Sequence, residues 1–161
     1  MSEHDELLRE SYEGEVLGEA FFGALADATG EQNPARLERL RTLQAVERDT
    51  ASTLRPLAEA AGIDTVAAKA RADGVALAAS TRDQPWDALL LGLRAALPSY
   101  LAKYERLREL APDREDAVLA NLVAHERAVD RFAELELDGR AEESLAVLRA
   151  HLGASRQASS A

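Results

Sequence analysis

Four stretches of this chain, each running past roughly twenty residues, place apolar side chains at alternating three- and four-residue steps. No stretch shows the two-residue alternation of a strand, so the chain is restricted to packed helices. Their ends are punctuated in the sequence. Helix 1 is expected from about Glu3 to Thr29, stopping at Gly30. Asn33-Pro34 supplies an N-cap followed by proline at the first helical position, and helix 2 then runs to about Ala61, with Gly62 as its stop. Asp64-Thr65 offers a cap for a short helix through Ala79. Thr81 to Gln84 resembles a capping box ahead of Pro85 and helix 3, which extends to about Ala111. Pro112-Asp113 recaps the chain for helix 4, Arg114 to about Leu137, and a shorter helix spans about Ala141 to Leu152.

Connection lengths set the topology. Helices 1 and 2 are joined by a few residues and helices 3 and 4 by fewer, so each pair is expected to be an antiparallel hairpin. About twenty residues separate helices 2 and 3, enough to travel back along the bundle. The fold class expected is all-α: an antiparallel four-helix bundle with one long crossover between helices 2 and 3 and a short C-terminal helix. Residues 1–152 form the expected single domain, and the small, polar segment 153–161 reads as a disordered tail.

Composition narrows the partners. With 161 residues the chain can bury a core of about 70% of its unfolded surface. Its net charge of −10 opposes binding to nucleic acid and docking on anionic lipid. It has no cysteine, which excludes disulfides and thiolate metal sites. The N-terminus is acidic and polar, and the longest strongly apolar stretch, Ala88 to Leu93, is far too short to cross a bilayer. These features point to a cytoplasmic protein without membrane contact.

The seams carry polar residues where apolar ones are expected. Helix 2 gives Leu40, Leu43, Glu47, Thr50, Leu54 and Leu57. Helix 3 gives Trp86, Leu90, Leu93, Leu97, Tyr100, Tyr104 and Leu107, and helix 4 gives Val118, Leu122, His125, Val129 and Phe132. Helix 1 has two stripes, one through Leu8, Tyr12, Glu15, Glu19, Phe22 and Ala26, the other through Gly14, Leu17, Phe21 and Leu25. Counting from the turns puts Glu15 level with Glu47, and Tyr100 level with His125. No Lys or Arg occupies mid-seam, so the acids need a protonated His125, their own protons or a metal. Carboxylates with one imidazole suit iron or manganese, and zinc is also compatible.

Other features have bland readings beside the functional ones. His4 and His151 read as surface residues, Glu126 as facing solvent or a partner. Pro56 and Pro98 bend their helices to suit packing, although Pro98 could widen the bundle near Tyr100. Gly14-x-x-x-Gly18 suits close backbone approach, or a small cavity. No nucleophile, phosphate loop or zinc motif competes.

Gly14-Glu15 or Gly18-Glu19 followed by Phe21-Phe22, the Glu47-Arg48-Asp49-Thr50 segment, and His125-Glu126-Arg127-Ala128 through Phe132, Glu136 and Gly139 give a pattern that resembles the ferritin-like superfamily. The resemblance covers about residues 8 to 139. It implies a dimetal bundle fed by a Glu from each of two helices and a Glu-x-x-His pair from each of the others. This chain departs from it: Thr50 stands at a His position, Leu122 at a Glu position, and Leu97 to Tyr100 offers no carboxylate. The implied site is reduced, with Glu15, Glu19, Glu47 and His125 as iron or manganese ligands and Tyr100 as a neighbouring redox group. The implied chemistry is oxygen- or peroxide-linked redox, or oxidation of a small apolar ligand. The alternative is a metal-free degenerate bundle that binds a small ligand or a protein, in which a homodimer is one arrangement.

Overall fold

A computed structural model describes residues 1–160. The described residues are all-α, with six α-helices: α1 Glu3–Thr29, α2 Pro34–Ala60, α3 Ala67–Thr81, α4 Trp86–Leu110, α5 Asp116–Leu137 and α6 Ala141–Ser159. Two of the starts are fixed by side-chain caps. Ser2 Oγ accepts from the Asp5 amide at 3.1 Å while Asp5 reaches back to the Ser2 amide, and Asn33 Oδ1 accepts from the Arg36 amide at 3.1 Å. Neither cap expected between α2 and α4 forms. Thr81 ends α3 and donates back to the Leu77 carbonyl, Pro85 precedes α4 without a side-chain cap, and the Val66 amide ahead of α3 donates to Glu13 Oε1 at 2.8 Å.

Partner residues fix the helix directions. Asp27 meets Arg41, Gly23 abuts Gln44 and Glu19 meets Arg48, so α2 runs antiparallel to α1. Arg108 meets Asp116 and Arg94 meets Asp130, which makes α4 and α5 antiparallel. Glu47 with His125 and Arg39 with Glu136 give the same relation between α2 and α5. The segment between the hairpins lies on α1 and follows its direction: Val66 bonds Glu13, Arg71 approaches Glu19, and Gly74 rests on Leu17 and Phe21. A Cβ at position 74 would come within 2.3 Å of the Leu17 carbonyl oxygen. The close backbone contact therefore uses Gly74, not the Gly14 and Gly18 pair expected for it. By this route α3 carries the chain from the middle of α1 toward its C-terminal end, so α4 starts beside the α1 C-terminal half.

Helix α6 runs antiparallel to α5 and also lies against α2. It continues through Ser159, well beyond Leu152, where the sequence reads as a disordered tail. Burial of Ser155, which donates to Asp49 Oδ2 and receives Asn121 Nδ2, ties this last stretch to α2 and α5. No described helix is long and apolar enough to cross a membrane.

Two apolar clusters fill the interior. One gathers Phe21, Phe22, Leu25, Leu43, Leu90 and Phe132; the other gathers Leu8, Val16, Leu54, Tyr104, Leu107 and Leu122. On α2 the boundary falls between Val46 and Ala51, and on α5 between Val123 and Val129. Glu47 and His125 occupy those intervals.

Candidate functional site

Glu15, Glu47 and His125 meet at that boundary and are all buried. His125 Nδ1 lies 3.1 Å from Glu15 Oε2, and His125 Nε2 lies 3.3 Å from Glu47 Oε1. The two contacts differ in kind. The Nε2 contact has hydrogen-bond geometry, whereas Nδ1 and Glu15 Oε2 face each other off-axis and neither has a well-aligned partner. The Tyr104 hydroxyl donates to Glu15 Oε1 at 2.8 Å. Glu126, half-buried on the next position of α5, completes a cluster in which one ligand atom each from Glu15, His125 and Glu126 lies within 4.8 Å of the others.

Gly18 makes room for this arrangement. A Cβ there would fall 2.5 Å from Glu47 Oε2 and 2.8 Å from its carboxyl carbon. The small residue thus lets a side chain from α2 reach across to α5.

Burial dominates the electrostatics. It pushes Glu47 up to about 8, with the Glu15 charge adding to the rise and His125 opposing it. Burial also raises Glu126 to about 7. For His125, burial acts downward, but the Glu15 and Glu47 carboxylates outweigh it and hold the imidazole well above the ordinary histidine value. Without an ion, these raised values keep protons within the cluster near neutral pH, shared among the imidazole and the carboxylates. Tyr104 is raised well above its ordinary value by burial and by Glu15, so its hydroxyl stays a donor.

The structure brings together Glu15, Glu47 and His125 from the residues expected in the site. Glu19 is not among them. It turns to the outer flank of α1, where Arg48 holds it at 2.7 Å and Arg71 lies 3.9 Å away. Tyr100 is also displaced from its expected role: it is 38% exposed, at the mouth of the site, with Lys103 over its ring at 5.5 Å. The phenol that touches the cluster is Tyr104, one turn further along the same seam. Glu126 and His151 were both expected at the surface. Glu126 joins the cluster, and the His151 ring lies 6.1 Å from that of His125 with its Nε2 buried and unpartnered. His4 is likewise drawn in, onto buried Glu115 at 2.9 Å, but it takes no part in this cluster. The helix-3 seam includes Tyr104 but does not distinguish it from Tyr100, and the sequence carries no signal that singles out Glu126 or His151.

Beside the cluster a cavity of about 390 Å³ opens between α1 and α4. Leu17, Phe21, Leu89, Leu93, Leu97 and Val129 give it apolar walls, and Glu15, Glu47, Glu126 and Tyr104 form its polar end. This size falls at the lower end of small-molecule sites, about 300–1,000 Å³. No protein-family model, curated protein or solved structure matches the chain.

Proposed function

We propose that the chain is a ferritin-like antiparallel four-helix bundle, built from α1, α2, α4 and α5 with α3 as the crossover. In this reading Glu15, His125 and Glu126 hold one iron or manganese ion for oxygen- or peroxide-linked redox chemistry. The helix directions described above support the bundle. One observation carries the metal reading: two buried atoms without aligned partners, Glu15 Oε2 and His125 Nδ1, lie 3.1 Å apart, and a ligand atom from each of these residues lies within 4.8 Å of one from Glu126. Two carboxylates and an imidazole are a donor set that suits iron and manganese. Ligand bonds of about 2.0–2.3 Å hold ligand atoms roughly 3–4.5 Å apart, so a 4.8 Å set need close only slightly.

A bound ion would supply Lewis acidity and one-electron exchange. The protein's residues do the rest. His125 Nε2–H on Glu47 fixes the tautomer, leaving the Nδ1 lone pair for the ion. Tyr104 holds Glu15 Oε1, so Oε2 is the free donor. The apolar walls of the cavity limit water at the reacting position. Elemental analysis of protein purified without chelators, then loaded with ferrous iron or manganese under air and without it, tests this reading. About one equivalent is expected, with a loss on Glu126→Gln, and less than roughly a tenth of an equivalent under every condition refutes it.

The proton balance at the cluster favours a second reading, a metal-free bundle that binds a small ligand or a protein. Replacing Glu47 and His125 together with Leu would then leave stability unchanged or raise it by about 1–4 kcal/mol.

A further inference from the structure

We propose that the cavity between α1 and α4 binds an apolar molecule ending in a primary amine, with the ammonium group on Glu47. The walls select an apolar body, and the charges at the polar end select the head. Glu15, Glu47 and Glu126 all line that end. Among the described residues that line the cavity, Arg94 is the one Lys or Arg, and it is held by Asp130 at 2.9 Å. An anionic head would meet acids and no unengaged cation.

Glu15 Oε2 is buried without a partner at this end, and Glu47 lines the cavity beside it. Its Oε1 engages His125, while its Oε2 rests against the Gly18 backbone and makes no hydrogen bond among the described residues. Tyr104 already donates to Glu15, so a cationic donor entering the cavity finds Glu47 Oε2 as its acceptor. Glu47 is not among the proposed metal ligands, and the inference stands whether or not an ion is held.

Isothermal titration of chelator-treated protein with octylamine, octanol and octanoate tests the proposal. Octylamine should bind with one-to-one stoichiometry and about tenfold or more tighter than the other two, the effect of one charge-assisted hydrogen bond. Glu47→Gln and Gly18→Ala should each abolish that preference, while Glu142→Gln on the exposed face of α6 leaves it intact. Octanol or octanoate binding as tightly as octylamine, no binding by any of the three, or an unchanged preference in folded Glu47→Gln overturns it. A readout on the unmutated chain covers variants that fail to fold. Intermolecular NOEs should connect the octyl chain to the methyls of Leu93 and Leu97, and NOEs confined to surface residues contradict the proposal.

Discussion

Removing the Tyr104 hydroxyl isolates one hydrogen bond in the site. The ring is 1% exposed and its oxygen donates to buried Glu15 at 2.8 Å. Tyr104→Phe deletes one oxygen and leaves the ring packing against Leu8 and Leu107 in place, so no hydrocarbon contact is lost. A bond to a charged group contributes about 1.5–3 kcal/mol, and its loss also leaves Glu15 Oε1 without a donor. For a chain of this length each kcal/mol shifts the melting midpoint by roughly 2–4 °C, so a fall of about 3–12 °C is expected. Urea denaturation of metal-free protein should show the same loss as a lower midpoint with an unchanged slope. Tyr100→Phe is the control. That side chain is 38% exposed and its hydroxyl makes no hydrogen bond among the described residues, so its substitution should stay within about 0.5 kcal/mol of zero. A Tyr104→Phe loss below about 0.5 kcal/mol, or a larger loss at Tyr100, would refute the assignment of Tyr104 to the site.

Three further outcomes are expected. Gly74→Ala drives a Cβ into the Leu17 carbonyl at 2.3 Å, and overpacking of this kind should cost about 1–3 kcal/mol or more in chemical denaturation. His125→Leu alone should destabilise the metal-free protein by about 3–5 kcal/mol, because Glu15 and Glu47 lose their shared partner; an equal loss in the Glu47→Leu, His125→Leu double variant would show that the two do not act as a pair. In chelator-treated protein Glu47 and Glu126 have folded-state values of about 8 and about 7, above the ordinary 4.5 of the unfolded chain. The folded state therefore binds more protons across that window, and stability should fall as pH rises from 5 through about 8; His125, also raised, acts in the same direction. Melting midpoints that climb over this range would contradict the burial of the cluster.

Most helix ends were legible because glycine and proline act locally, although the caps expected at Asp64-Thr65 and Thr81 to Gln84 do not form. Glu15, Glu47 and His125 were legible because polar residues on an apolar seam are costly and therefore conspicuous. What the sequence hid depends on tertiary packing. Tyr100 and Tyr104 share one seam and differ by one turn, about 5.4 Å, finer than counting residues from a hairpin turn can resolve. Glu19 sits on the same stripe as Glu15, but Arg48 and the crossover residue Arg71 draw it outward, and Arg71 comes from a segment whose path the seams do not define. Glu126 lies beside the seam, and it faces the cluster because α1 and α4 leave a cavity next to it. The α6 extension past Gly153 has weak local signals; Asp49 and Asn121, distant in sequence, hold it through Ser155.

Crystals soaked in manganese chloride and measured at the manganese absorption edge test the metal reading most directly. The account predicts one anomalous peak, with Glu15 Oε2, His125 Nδ1 and a Glu126 oxygen at about 2.0–2.3 Å from it. Full-occupancy density with no peak there, and His125 Nδ1 bonded instead to Glu15, would contradict it.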